Sequence, residues 1–456
     1  MRNKLVRCGS WPQWIAAVEI FLMAFLCGVE TGWTSPSLAI LLDPLKSPIP
    51  MTKSEGSWIA SLLNIGRAAG SLIGAIDVEL VGSKTSALHI GVVQLVSLVC
   101  LAEADTVIWL YASRFIGGVA TGMFFISFPL YIGEISNPKI RGALVGTIAN
   151  GMSIGYVVGN VTGAYMSIPA FAISMLAVTV LFLISFYWLP KSSHHLVLKD
   201  QMEEAAAAIK WYQRDANVPN ELASLQKFIK DKQSMTFKNL LKEFMLPHNR
   251  IALFKVIMVY VFMQLSGLYT VGFYMEIILK KGGVTVIEPV MAVIVISAIG
   301  LVGGCVAMFA IDKFGRKLVL ATSAIGLAVS LVGIAIHYQF LKWGCNPLYL
   351  QWLIIFSVII LECFINLGIV PIPSTILSEI FAPNIKSYSS CIANIISGLI
   401  AFMTTQTYQL FIDSIDYYVY YIYALMMILL AIFTMTQLPE TKGKTLQEIQ
   451  NMLMKK

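Results

Sequence analysis

Residues 290–317, VMAVIVISAIGLVGGCVAMFAIDKFGRK, contain the pattern that decides the fold of this chain. The first 22 residues of the stretch, 290–311, carry no charge, and the next six include Asp312, Lys313, Arg316 and Lys317. A helix needs about 20 apolar residues to cross the roughly 30 Å hydrocarbon core of a bilayer. The stretch therefore predicts a membrane-spanning helix that ends at a charged loop.

The same pattern recurs along the whole chain of 456 residues, of which 57% are hydrophobic and 12% are charged. Its mean hydropathy of +0.76 exceeds what a soluble core requires. In lipid, only a helix satisfies all of its own backbone groups over such a run. We predict twelve spans, over residues 14–42, 57–78, 86–101, 107–132, 143–166, 171–189, 251–279, 286–310, 318–341, 350–377, 389–412 and 418–438.

One charged segment, residues 190–250, divides the spans six and six. The sequence therefore predicts an all-α membrane protein with two six-helix halves, 13–189 and 251–438, flanked by tails 1–12 and 439–456. Apolar residues recur at helical spacing over 200–214 and 219–232, and more briefly over 237–244. We expect the segment to form short amphipathic helices rather than a loose linker.

Basic residues are distributed unequally between the two sides of the predicted membrane. Twenty-four lie in the tails and in the loops on the same side, and five lie in the loops opposite, at Lys46, Lys53, Lys280, Lys281 and Lys342. Cytoplasmic loops carry the excess of Lys and Arg in membrane proteins. We therefore predict a multi-pass protein of the cell membrane with both termini in the cytoplasm. The net charge of +7 then reflects topology and indicates no nucleic-acid partner.

The two halves contain echoes of each other. Residues 79–84, ELVGSK, follow the second span, and residues 312–317, DKFGRK, follow the eighth. Glu134 followed by Arg141 is matched by Glu379 followed by Lys386. Repeated halves are the usual construction of alternating-access carriers.

Short motifs occur along the chain in an order that is similar to one known family. They are Arg114 with Gly117-Gly118, Glu134-Ile135 with Arg141-Gly142-Ala143-Leu144, Gln264-Leu265-Ser266-Gly267, residues 312–317, Pro371-Ile372-Pro373 with Glu379-Ile380-Phe381, and residues 439–445, PETKGKT. On these motifs the chain resembles the sugar porter family of the major facilitator superfamily. Within that family, Trp33-Thr34-Ser35-Pro36 and Ser57-Trp58 make it most similar to the insect facilitated trehalose transporters. The resemblance implies a carrier of trehalose, a hexose or a related polyol, without a cofactor.

The resemblance also implies a role for charged residues at the cytoplasmic ends of the halves. In that family such groups pair while the carrier is open outward and separate when it opens inward. Here they are Glu134, Arg141, Asp312, Arg316, Glu379 and Glu440. Exposed pairs contribute about 0 to 1 kcal/mol each, so several are needed to bias two states. Ser83 stands where the family usually has arginine, and we expect a weaker network in the first half. The alternative is that these charges only set topology.

The substrate site is the part that departs most from the family. Hexose-binding members surround the sugar with polar side chains and two tryptophans, and of these only Gln264 is retained. The other positions hold Ala149, Met263, Tyr269, Gly300, Asn366, Ser374 and Ser397-Gly398. A buried hydroxyl left unpaired costs about 1 to 3 kcal/mol, so replacements are expected nearby. The candidates for substrate binding are Gln264, Tyr269, Tyr274, Asn150, Asn366 and Ser374, with Asn394 and Gln406 close by.

Two consequences follow for this site. Without the tryptophans it is roomier and suits a disaccharide or a polyol. Pro371 and Pro373 interrupt the tenth span, so we expect a bend there and a moving gate. The alternative is that the polar groups only bond neighbouring helices.

Ionisable residues within spans are costly and by default indicate function. They include Glu19, Glu30, Arg67, Arg114 and Glu362. Glu30 stands where the resemblance places the aspartate of proton-coupled members, with Arg114 as its partner, so transport is either proton-linked or facilitative. The alternative is that these charges form static ion pairs. Arg67 and Glu362 lie nearer the middle of the membrane and receive no role.

The same residues bear on three classes of function. A carrier of a sugar or polyol, either coupled to protons or not, agrees with the motifs. A non-transporting sugar sensor with the same fold is the alternative, because the polar ring is reduced. The sequence contains no metal cluster, nucleophile triad or phosphate loop, so we do not expect an enzyme.

Overall fold

The computed structural model describes residues 10–233, 242–444 and 446–454, and these form helices joined by short loops, with no strand among them. Twelve helices are long and apolar enough to cross a membrane. They are α1 (Trp11–Leu41), α2 (Lys53–Val81), α3 (Ser83–Ala102), α4 (Val107–Ile135), α5 (Arg141–Tyr165), α6 (Ile168–Tyr187), α7 (Pro247–Phe273), α8 (Pro289–Phe314), α9 (Arg316–Lys342), α10 (Pro347–Ile380), α11 (Ile385–Ile415) and α12 (Tyr418–Gln437). The predicted fold class is confirmed.

The helix boundaries have local causes in the sequence. Several helices begin with proline in the first turn, where its missing N–H is not needed; Pro12, Pro247 and Pro289 are examples. At the start of α2, the Thr52 hydroxyl accepts from the amide of Glu55, and the Glu55 carboxylate accepts from the amide of Thr52 at 2.7 Å. This capping box satisfies backbone donors that the first turn of the helix would otherwise leave unpaired.

The two echoed loops have the same backbone shape. Gly82 ends α2 with φ +86° and ψ 162°, and Gly315 ends α8 with φ +90° and ψ 165°. Residues with a Cβ rarely adopt a positive φ, so glycine is needed at both turns. The sequence repeat is thus also a structural repeat.

Each half has its own core of buried apolar side chains. The first half is held together by very close packing of α1 on α5: a Cβ added at Gly155 would lie 2.1 Å from the carbonyl oxygen of Phe25. Between the halves, α2 lies antiparallel to α11, with Ala68 against Gly398 and Asn64 bonded to Thr405. On the other side of the molecule α5 contacts α8.

The start of α1, the described part of the segment after α6 and the residues after α12 lie on one face, which we call the terminal face. The Gln13 side chain donates to the carbonyl oxygen of Tyr212 at 2.9 Å, and Glu440 accepts from the amide of Arg316 at 3.1 Å. The segment contains helices Met202–Tyr212 and Val218–Gln233, which its periodicity predicts, and a short helix, Ser193–Leu198, which was not predicted. The predicted turns over 237–244 lie largely outside the described residues. The face across the membrane is called the opposite face.

Candidate functional site

Two of the twelve helices are interrupted near the middle of the membrane. Helix α7 breaks after Leu265 at Gly267, which has φ +70°, and continues as the short segments Leu268–Phe273 and Met275–Lys281. Helix α10 contains a wide π-helical turn over Ile365–Ile369, directly before Pro371. Proline cannot supply the backbone N–H of a regular helix, so the interruption of α10 has a local cause.

Gln264 lies just before the break in α7 and is buried. Its Nε2 donates to the Ser397 hydroxyl of α11 at 2.7 Å. Its Oε1 is also buried, and no donor among the described residues reaches it. A buried acceptor without a donor is unfavourable by about 1 to 3 kcal/mol, which makes this oxygen a strong candidate for ligand contact.

Tyr269 and Tyr274 lie beyond the break and join α7 to the first half. Tyr269 accepts a hydrogen bond from Nη1 of Arg67, whose guanidinium lies 4.5 Å from the centre of the tyrosine ring. The Tyr274 hydroxyl donates to Ser57 at 3.2 Å. In this conformation both tyrosines close the space between α7 and α2.

A second polar group lies where α5, α8 and α10 meet. Asn366 donates to the Glu362 carboxylate at 3.1 Å, and a Cβ added at Gly300 would lie 2.6 Å from Glu362 Cγ. The absence of a side chain at Gly300 therefore makes room for Glu362. Tyr156 of α5 lies near that carboxylate. Asn160, one turn further along α5, has a buried Oδ1 that no described donor reaches.

Asn150 and Ser374 complete the predicted set. Asn150 is half-buried on α5, and Ser374 is exposed on α10 with its hydroxyl bonded to the carbonyl oxygen of Pro371 at 3.0 Å. The structure brings neither into a hydrogen bond with another of the predicted side chains. Their roles stay predictions.

Glu30 and Arg114 are adjacent in the outer part of the first half, but not as a simple ion pair. Arg114 donates from Nη1 to the backbone oxygen of Glu30 at 3.0 Å and from Nη2 to the Thr34 hydroxyl. The Glu30 carboxylate instead accepts from Ser97 at 3.1 Å, while its Oε2 is buried without a donor. The Gln94 side chain lies beside this carboxylate.

Sequence reasoning did not single out Ser97, Gln94, Tyr156 or Asn160. Each is a polar residue within a predicted span, and buried polar groups in membranes are a signal that could have found them. Their pairing with Glu30 and Glu362 depends on how the helices pack.

The charged residues of the terminal face bond within their own halves. Arg316 contacts Glu379 at 2.9 Å and Asp312 at 3.6 Å. Arg141 donates to Ser136 at 3.1 Å, and Glu134 accepts from the Ser83 hydroxyl. The first half thus has a neutral donor, Ser83, at the position where the family usually has arginine.

Glu440 is held by backbone amides. It accepts from the amides of Arg316, Lys317 and Lys442 at 3.0 to 3.1 Å. Partial burial acts to raise the pKa of Glu440, but these amides and the Arg316 charge outweigh it and hold that pKa below its ordinary value. The C-terminal tail is therefore fixed to the start of α9 by a carboxylate that stays ionised.

Polar contacts between the halves are found from the middle of the membrane to the opposite face. They are Asp43 with Lys280, Ser35 with the amide of Glu276, Ser57 with Tyr274, Ser61 with Gln406, Asn64 with Thr405, and Arg67 with Tyr269. Cys391 of α11 also donates to the backbone oxygen of Ser71 on α2 at 3.5 Å, nearer the terminal face. The described polar contacts between the halves are thus concentrated toward the opposite face.

Residues 16–453 match the family model described as "Sugar (and other) transporter". The chain belongs to this family. The match covers all twelve helices except the first turn of α1.

Among curated proteins, the chain is similar to facilitated trehalose transporter Tret1 of Drosophila yakuba, at 27% identity over 97% of this chain and 52% of the relative. It is also similar to the Tret1-2 homolog of Drosophila simulans, at 28% identity over 98% and 91%. The chain thus spans about half the length of the first of these relatives.

Among solved structures, the proton:xylose symporter XylE bound to 6-bromo-6-deoxy-D-glucose has a TM-score of 0.78 at 20% identity, over 97% of this chain and 99% of the other. The inward open conformation of the xylose transporter XylE from E. coli has a TM-score of 0.76 at 21% identity, over 96% and 99%. These likenesses establish the major facilitator fold.

Proposed function

We propose that this chain is an alternating-access carrier of a sugar or polyol. The observation that carries the proposal is the pair of interrupted helices, α7 and α10, whose polar side chains face the junction of two repeated halves. Interrupted helices at the middle of the membrane are where carriers of this construction bind their substrates. The buried, unbonded Oε1 of Gln264 gives that junction a group suited to a sugar hydroxyl.

The substrate we propose is trehalose, a hexose or a related polyol. Relatives named as trehalose transporters support the class of substrate. A serine at 374, where hexose-binding members have tryptophan, supports a site large enough for a disaccharide, whereas the space beside Gly398 is filled by Ala68 of α2. The bonds of Asn366, Tyr269 and Gln264 stay within the protein in this conformation, so a substrate would compete for them.

For topology, we propose that the terminal face lies in the cytoplasm and that the protein resides in the cell membrane. The excess of Lys and Arg on that face supports this orientation.

Proton coupling through Glu30 is the finer part of the proposal. The Glu30 carboxylate is buried, with Ser97 and Gln94 beside it. Arg114 donates to the backbone oxygen of Glu30 rather than to its carboxylate oxygens. A carboxylate so placed can take up a proton without first breaking an ion pair. The facilitative alternative is an outcome of the Glu30 experiment in the Discussion.

The test of the carrier function uses purified protein in liposomes. Uptake of radiolabelled trehalose, glucose, fructose and polyols should exceed that of empty liposomes and should saturate. A Ser35→Cys, Glu276→Cys pair provides a lock, because the Ser35 hydroxyl lies 3.1 Å from the Glu276 amide. Oxidation should stop uptake by the double variant and reduction should restore it, while each single variant is unaffected. Binding without uptake of any sugar would favour the sensor.

A further inference from the structure

Arg67 is a buried cation with an unusual set of partners. Its side chain lies near the middle of α2 and is 7% exposed. Nη1 donates to the Tyr269 hydroxyl, and Nη2 is buried with no acceptor among the described residues. None of the ion pairs in the described part of the chain includes Arg67.

The groups packed around Arg67 are polar but uncharged. Tyr260 and Tyr269 face it from α7, and Gly122 of α4 lies against its backbone oxygen. Asn64, one turn away on α2, is bonded to Thr405. A charge removed from water is unfavourable unless an opposite charge and hydrogen bonds compensate it. Among the described residues, Arg67 has a tyrosine ring and a hydroxyl as partners but no anion.

The partner that Arg67 does have belongs to a segment that has to move. Tyr269 lies on Leu268–Phe273, the short helix beyond the break at Gly267. For the opposite face to open, this segment must separate from α2. Arg67 then loses both the Tyr269 hydroxyl and the ring 4.5 Å away, and it faces the opened space. An anion in that space would meet two free N–H groups.

The other side of the junction carries groups that suit hydroxyls. Glu362, Asn366 and the buried Oδ1 of Asn160 lie at the contact of α5 with α8 and α10, whereas Arg67 lies at the contact of α2 with α7 and α11. Carboxylate and amide oxygens accept hydrogen bonds from hydroxyls. The junction therefore has a cationic side and an acceptor side.

We propose that, in addition to neutral sugars, the carrier accepts a sugar that bears one carboxylate, and that Arg67 binds this carboxylate while the acceptor side binds the hydroxyls. The inference rests on the carrier function proposed above and names its substrate class. One guanidinium matches one carboxylate in charge and in bidentate geometry. A phosphate monoester carries nearly two charges and would leave one of them uncompensated at this site.

The experiment compares D-glucose with D-glucuronate, which differ only in a CH2OH or a carboxylate at one carbon. Initial uptake of each radiolabelled sugar, and of trehalose, is measured in liposomes that contain the full-length protein. Wild type should take up glucuronate with a lower KM than glucose. Arg67→Gln should lower the ratio of glucuronate to glucose uptake roughly 10- to 100-fold, the loss expected for a hydrogen bond to a charged group. Arg67→Lys keeps the charge and should retain most of the preference.

Two further variants separate recognition from closure of the opposite face. Tyr269→Phe removes the hydroxyl that Arg67 holds, and Asn64→Ala removes a neighbouring bond between the halves. Tyr269→Phe frees the guanidinium from its protein partner and should not lower the ratio of glucuronate to glucose uptake. Asn64→Ala should change uptake of the two sugars by the same factor and leave the ratio unchanged. If Arg67→Gln behaves in the same way, Arg67 only stabilises helix packing and the proposal is wrong.

The remaining outcomes distinguish this inference from the carrier function. Uptake of glucose or trehalose by wild type, with glucuronate neither transported nor inhibitory, would overturn the carboxylate proposal and leave the carrier intact. Failure of all three sugars to move would overturn both.

Discussion

Replacement of Gln264 by alanine tests the centre of the proposed site. Gln264 is 1% exposed, its Nε2 is bonded to Ser397 at 2.7 Å, and its Oε1 has no described donor. If a substrate hydroxyl donates to that oxygen, the variant leaves the hydroxyl unpaired. The loss is about 1 to 3 kcal/mol. Since each 1.4 kcal/mol is tenfold, substrate affinity should fall roughly 5- to 150-fold.

The contributions of Gln264 Nε2 and Oε1 to substrate affinity can be measured separately. Ser397→Ala removes the partner of Nε2 and leaves Oε1 in place, so it should weaken affinity by less than about 1 kcal/mol. Gln264→Met keeps the side-chain volume but removes both polar groups and should resemble Gln264→Ala. Affinity is measured by competition with the best substrate of the sugar panel on purified protein, and melting temperature is recorded in parallel.

Gln351 is the matched control for this series. It is 3% exposed, and its Oε1 accepts from the amides of Thr285 and Val286 at 3.0 Å. Gln351→Ala should therefore lower the melting temperature without a change in affinity. Unchanged affinity in Gln264→Ala, with the protein folded, would refute the placement of the site at the break in α7.

Three other predictions concern the charged contacts of the terminal face, proton coupling through Glu30 and the packing of α1 on α5. Arg316→Ala removes the 2.9 Å contact with Glu379. The variant should transport more slowly and should enrich the inward-open state by up to about fivefold, while its surface expression stays unchanged. Identical cysteine accessibility on both faces in variant and wild type would contradict this prediction. Glu30→Gln mimics the protonated carboxylate, so it should retain exchange of substrate across the membrane but abolish concentrative uptake at acidic external pH. Wild-type uptake that does not change with external pH or with a protonophore would instead favour the facilitative alternative. Gly155→Leu places a side chain against the Phe25 backbone and should lower the free energy of unfolding by about 1 to 3 kcal/mol. Gly142→Leu is its control on α5, because no atom lies within 4 Å of an added Cβ, and equal melting temperatures for the two variants would disprove the reasoning.

The sequence alone determined the twelve spans, the two halves and the helical segment between them. The reason is that length and apolar content are local properties, and a bilayer accepts only a helix over such runs. The order of the short motifs along the chain also predicted the family. Individual boundaries differ by a few residues, as for the fourth span, which continues to Ile135, because a helix can extend beyond the hydrocarbon core.

Tertiary structure decided which polar groups meet. Glu30 and Arg114 lie at similar depth, as the sequence predicts, but their hydrogen bond goes to the backbone because Ser97 faces the carboxylate and Thr34 faces the guanidinium. Arg67 received no role from the sequence, since its partner Tyr269 lies 202 residues away across the junction of the halves. Hydropathy locates a polar residue in the membrane, but the packing angle and rotation of each helix decide what that residue contacts.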